Sequence, residues 1–273
     1  MGYRWWCAAV VLFSASPAYA GGFTQGEGGY YVKAWTRSLI GNKAFDTAGE
    51  LVELPESFSD HALNVYGEYG LTSDVTLLMY VVPFGYSAYG DQSQLYAGTL
   101  SVGARHALWS GSQPLALEVR AGGRPAVGDD PLAEGVLATG PYVVRATLPT
   151  LFFDTELQAA AALPYGLWLS AGAGARLHSR DGLSPALFSN LQLGWSSSFG
   201  LVLDLHAQAY FSVDRPDIID VLGVGQTDYI GFGVGAAYWI TDGFGVTLGF
   251  DSAALARANA GTAPIQLGVQ LKG

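Results

Sequence analysis

His206 and Asp204 stand two residues apart in the stretch 201–213, LVLDLHAQAYFSV, and a carboxylate beside an imidazole is the beginning of a nucleophile-activating set. That chemistry needs a hydroxyl within hydrogen-bond reach of the ring. Ser212 is too far along the strand to serve, roughly 20 Å away at about 3.3 Å of rise per residue. His178 falls on the same kind of face as His206, whereas His61 and His106 fall on the opposite register near strand ends. The acids Asp46, Glu50, Glu53, Glu56 and Asp60, with Asp214, Asp217 and Asp220, fit no EF-hand or glycine-repeat calcium loop, and read as solvated charges of an acidic rim. No phosphate-binding glycine loop and no thiolate or histidine metal cluster is present in the sequence, so neither an enzyme nor a cofactor is expected.

The segment that carries His206 explains its surroundings better than catalysis does. Its odd positions from Leu201 to Val213 are all apolar and most of its even positions are polar, the pattern of a β-strand with one apolar and one polar face. A half-buried strand of a soluble protein is usually about five or six residues long, while this one extends for about 40 Å, enough to cross a bilayer at a tilt near 40°. The remainder of the chain repeats it.

Of the 273 residues, 50% are hydrophobic and only 13% charged, with 37 glycines, 15 tyrosines and 7 tryptophans, yet beyond the first twenty residues no apolar run approaches a transmembrane helix. Hydrophobicity dispersed by alternation is what a barrel wall requires. Residues 1–20 have a basic start at Arg4, an apolar stretch over 5–13 and Ala18-Tyr19-Ala20 before Gly21, which predicts a secretory signal peptide and a barrel over 21–273. Cys7, the one cysteine, falls within that segment, so closure of the barrel rather than a disulfide must hold the fold. Without Arg4 the chain has a net charge of −11, which argues against a nucleic-acid partner.

From residue 28 onward the alternation predicts an all-β, transmembrane up-and-down antiparallel β-barrel of about twelve strands. Turn-rich connections at 72–74, 110–113, 164–166, 198–200 and 241–243 alternate with longer, more acidic ones at 38–59, 85–93, 125–153, 179–185, 214–226 and 256–261. Tight periplasmic turns and larger extracellular loops give that rhythm in the outer membrane of a Gram-negative cell. Trp109, Trp168, Trp195 and Trp239, with Tyr165, Phe199 and Phe244, lie beside the short turns and predict an interfacial aromatic girdle. The segment 142–148, YVVRATL, is ambiguous between an extra strand, an extension of its neighbour and an inward-folded loop; an even strand number leaves it in the loop.

Alternation assigns most charges to one face. The expected lumen lining comprises Lys33, Arg37, Glu68, Arg105, Glu118, Arg120, Asp154, Glu156, Arg176, Asp204, His206, Asp251 and Lys272. Acids and bases are balanced there, so mutual pairing and a lined translocation path are both open readings. AGAGAR at 171–176 and GFGVGAA at 231–237 leave little side-chain volume on one face, which either an inward loop such as 125–153 or a tapering wall would use.

Gly26–Gly29 with Tyr30, FDTAGE at 45–50, EYGLTSDVTL at 68–77 and Pro83-Phe84 resemble the N-terminal part of outer-membrane proteins grouped with the meta-pathway phenol-degradation transporters and the XagA-like barrels. The resemblance covers about the first quarter of the chain. It implies passage of small, hydrophobic or aromatic compounds and carries over no binding residue. The final strand lacks the terminal Phe or Trp that usually assists assembly of such barrels. The function expected is a passive channel or transporter for small solutes, with outer-membrane lipids and the barrel assembly machinery as partners. The alternative is a structural barrel with an occluded lumen whose loops mediate adhesion or exopolysaccharide contact.

Overall fold

The computed structural model describes residues 24–111 and 113–273; the predicted signal peptide lies outside the described residues. Twelve antiparallel strands close on themselves: β1 (Tyr30–Phe45), β2 (Leu51–Gly70), β3 (Val75–Tyr89), β4 (Leu100–Trp109), β5 (Leu115–Arg124), β6 (Thr150–Ala162), β7 (Leu167–His178), β8 (Ala186–Ser196), β9 (Leu201–Ser212), β10 (Asp228–Trp239), β11 (Phe244–Arg257) and β12 (Ile265–Lys272). Each strand pairs with its sequence neighbour, and β12 returns to β1 in the register Tyr31↔Lys272 to Ser38↔Ile265. Closure removes every sheet edge, which a barrel without disulfides needs in place of a cross-link.

The alternation at 201–213 does what its period requires. Leu203, Leu205 and Phe211 stand outward at 43%, 58% and 43% exposure, while Asp204, His206 and Gln208 turn to the lumen. Similar outward rows of Leu, Val and Phe on the other strands make a continuous apolar belt. Such a belt is stable only against lipid, since exposed apolar patches on soluble monomers rarely exceed a few hundred Å².

Three expectations need correction. First, 38–59 is not a loop: β1 and β2 continue past the barrel as a hairpin, with Asp46 accepting hydrogen bonds from the N–H groups of Ala48 and Glu50 to close the turn. Secondly, Trp168 and Trp239 are not girdle residues; their registers point them into the lumen, and Trp168 is only 4% exposed. Trp109 and Trp195 do face outward near the short turns, together with Tyr165 and Phe199. Thirdly, among the acids assigned to a solvated rim, Asp46, Asp60 and Asp220 are buried.

The segment 142–148 stands outside the barrel count. Ala133–Leu137 and Gly140–Val144 form a small hairpin, and Ile219–Asp220, from the β9–β10 connection, adds to it in parallel. These connections begin on distant sectors of the ring, at β5–β6 and at β9–β10, yet Tyr142, Val144, Ile219 and Val221 pack with Leu39, Leu54, Phe58 and Tyr89 of β1–β3. Ala146 reaches deeper, to Ala62, Val82 and Tyr96. The two connections therefore cross the wide mouth of the barrel as a plug.

Candidate functional site: a charge-lined lumen beneath a two-loop plug

The candidate site is the lumen itself. Lining residues sit on alternate positions of every strand, so residues paired across the sheet bring their side chains to one level. Near the plug, Arg37 of β1 meets Asp60 of β2 at 2.5 Å, and the same carboxylate accepts from Ser87 and Tyr96. Opposite, Arg176 of β7 grips Asp154 of β6 with two hydrogen bonds of 2.7 and 2.8 Å and lies 4.3 Å from the Phe152 ring. His178 meets the Tyr210 hydroxyl at 3.3 Å, and Tyr210 stacks on Tyr229.

Below these runs a belt to which five strands between β2 and β8 contribute. Arg105 binds Glu68 at 3.1 Å and Glu118 at 2.9 Å; Arg120 binds Glu118 at 2.8 Å and Glu156 at 3.5 Å; Asn190 then donates to Glu156. The Arg105, Glu68 and Glu118 side chains are 2%, 1% and 3% exposed, so their mutual bonds replace hydration almost entirely. Gln25, ahead of β1, also donates to Glu68 and to Thr76, which tucks the N-terminal described residues against the lining at the tight-turn rim.

Across the lumen His206 is clamped between Asp204, 2.8 Å from Nδ1, and Asp251, 2.6 Å from Nε2. Ionised carboxylates only accept, so the arrangement is satisfied when both ring nitrogens carry hydrogen, as an imidazolium. Gln192 and Gln266 supply further donors to Asp204 and Asp251. Lys33 lies 5.1 Å from the Trp35 ring centre and Lys272 4.2 Å from that of Trp239. All twelve residues expected in the lining, and Asp154, thus occupy the lumen face, in two main clusters, two outer pairs and two lysines on indole rings.

The small-residue strands have a different cause from either expected one. A Cβ at Gly172 would collide with Glu156, one at Gly233 with His206 and Asp251, and one at Gly235 with Asp204. These glycines leave room for long polar side chains of the adjacent strands, which lie across them. Neither a loop nor a taper fills that volume.

Besides Trp168 and Trp239, four charged participants had not been expected in the lumen: Asp60, Arg124, Arg145 and Asp220. Asp220 is fully buried in the plug; its Oδ2 accepts from Arg145 Nε and Nη2, both at 2.9 Å, and from the Gly225 N–H. Burial raises its carboxyl above the ordinary aspartate range, while Arg145 and the N–H donors of Val224 and Gly225 pull it back. Arg124, the last residue of β5, donates to Thr99 Oγ1 and, at 2.5 Å, to the Val224 carbonyl of the plug. Arg145 and Asp220 were hidden because each lies in a segment whose apolar neighbours, YVVRATL and PDIIDVLG, give no strand register to the barrel.

No protein-family model matches the chain, and no curated protein matches it in sequence. Solved structures do match in fold. A COG4313 outer membrane channel from Pseudomonas putida F1 superposes with a TM-score of 0.69 at 14% identity, over 94% of this chain and 99% of that one. The NanC porin gives 0.56 at 5% identity over 88% and 100%, and the translocator domain of the autotransporter NalP from Neisseria meningitidis gives 0.53 at 14% over 97% and 94%. The fold is that of an outer-membrane barrel, and the protein is placed in the cell outer membrane. In barrels of this fold the tight-turn rim is periplasmic and the rim with the long connections extracellular.

Proposed function

We propose that this protein is a non-catalytic, passive channel for small solutes whose extracellular mouth is governed by the plug. The observation that carries the reading is the contrast between lumen and plug. The wall is lined by polar and charged groups from end to end, whereas the cover is made of two connections from separate sectors, joined by a short parallel strand pairing, shared apolar packing and one ion pair. Likeness to outer-membrane channels and porins supports the class. Resemblance of the first quarter of the chain to aromatic-compound transporters suggests ring-bearing solutes, and Trp35, Tyr66, Tyr80, Tyr210 and Tyr229 supply ring faces along the path. Both nitrogens of His206 are engaged by carboxylates, which leaves no base for an adjacent nucleophile and supports the non-catalytic part. Outer-membrane lipids and the assembly machinery are the partners that such a barrel requires.

The second reading, an occluded structural barrel, draws on the apolar packing of the plug against β1–β3. Purified protein in planar bilayers separates the two. Discrete conductance steps, together with swelling of proteoliposomes in small solutes, are expected; absence of both, in protein that migrates as a folded heat-modifiable barrel, sinks the channel.

A further inference from the structure

Charges around the extracellular end of the lumen do not balance. Three carboxylates there, Asp60, Asp154 and Asp220, each have their own guanidinium, in Arg37, Arg176 and Arg145. Arg124 is a fourth, and among the described residues it forms no ion pair with a carboxylate. It stands within electrostatic reach of Arg176, Asp220 and the hydroxyls of Tyr80 and Tyr210. Asp220 is already occupied by Arg145 and by the turn it caps. What Arg124 holds instead is a neutral acceptor, the Val224 carbonyl, in the loop that must move for the mouth to open.

A guanidinium presents a planar fork of donors suited to a carboxylate, and such a charge-assisted pair is roughly twice as strong as a bond to a neutral acceptor. We propose that Arg124 is the receiving residue for the carboxylate of a small organic monoanion, and that the Val224 carbonyl is its intramolecular substitute. An arriving carboxylate competes for the Nη1 edge, releases Val224 and unlatches the 213–227 loop. The Tyr210–Tyr229 stack offers flat apolar surface at this end of the lumen, which favours an anion with a ring or short apolar body over inorganic anions. This site rests on the channel reading for its physiological meaning, though not for its detection.

The test uses benzoate, with benzamide as its neutral isostere, on the wild type and Arg124→Gln. A second readout needs no conductance: Val224→Cys, in mature protein otherwise lacking cysteine, reports loop release through its rate of labelling by a membrane-impermeant maleimide. Benzoate is expected to raise both open probability and labelling, benzamide to do neither. In Arg124→Gln, and in Val224→Cys/Arg124→Gln, receiver and latch are lost together, so labelling without benzoate should already be raised, and the benzoate concentration for half of the remaining effect should rise roughly 10- to 100-fold, the range for losing a charged hydrogen bond. Equal effects of benzoate and benzamide, or an unchanged half-effect concentration in an Arg124→Gln protein that remains heat-modifiable, overturn the proposal. If benzoate accelerates labelling in the Arg124-dependent way but no current is seen, the anion site stands and the channel reading fails.

Discussion

Removing Arg145 isolates the ionic part of what joins the two halves of the plug, beside their strand pairing and apolar packing. Asp220 is fully buried and draws two hydrogen bonds of 2.9 Å from this one guanidinium. Truncation in Arg145→Ala leaves a carboxylate without its counter-charge in the docked state, a change that costs about 3–5 kcal/mol at buried pairs. In the undocked state the same carboxylate is hydrated, so the penalty falls on docking alone. Because the Arg145 side chain is 20% exposed, the lower end applies, about 3 kcal/mol, or roughly a 100-fold shift toward the open plug. Single-channel recording should show open probability rising by about that factor, and added protease should cut within 213–227 correspondingly faster while the barrel stays intact. Arg145→Ala/Asp220→Ala removes the stranded charge along with its partner and should recover much of the closed state. If the single variant gates and is cleaved like the wild type, or if the double variant is as open as the single, the ion pair is not what holds the plug.

Four further outcomes follow from the same geometry. Acidification should favour closure: the docked Asp220 carboxyl is raised, so its contribution to docking is fully present below the ordinary aspartate range near 3.9 and is lost as pH rises through the docked value; open probability measured against pH should therefore fall toward the acid end. Arg105→Ala strands Glu68, while Glu118 keeps Arg120, and should lower barrel stability by about 3–5 kcal/mol in urea unfolding from liposomes, with much of the loss recovered if Glu68 is replaced by glutamine as well. Gly233→Val places a side chain where His206 and Asp251 meet, so the variant should unfold at lower denaturant and show altered conductance, whereas Val234→Ala on the lipid face should change conductance little. Leu205→Arg puts a charge on the outer belt and should cost about 2–4 kcal/mol if it lies near the bilayer midplane, against almost nothing for Gln208→Arg on the lumen face.

The barrel was legible because its wall obeys a period of two over long strands, and that same period sorted Lys33, Glu68, Arg105 and Asp204 onto one face. Where a second layer of structure overrides the period, alternation stops informing. The hairpin extension of β1 and β2 was taken for a loop because Glu50, Glu53 and Glu56 look like loop acids, although Asp46 turns the chain within five residues. The indoles of Trp168 and Trp239 were assigned by closeness to turns when their register, one residue from Leu167 and Tyr238 on the lipid side, was the better guide. Of the plug, only an inward-folded loop at 142–148 or 125–153 stood among the open readings; its partner at 219–220 could not be read, since the strands pair between segments about 75 residues apart and the ion pair is set by docking rather than by local pattern.

The glycines beneath Glu156, Asp204 and His206 carry an evolutionary consequence. Each long lining side chain occupies the place that its neighbour's Cβ would have taken, so the smallest change that keeps the wall intact involves two positions on adjacent strands. Gly235 is hemmed in by the Asp204 side chain alone, so relatives with a smaller residue at 204 should be free to carry a larger one at 235, whereas Gly233 also faces the Phe250 carbonyl and stays small. Solute preference in such a barrel would then drift by paired exchanges across neighbouring strands, and aligned homologues should show 204 and 235 varying together while the outward Leu and Val rows vary independently.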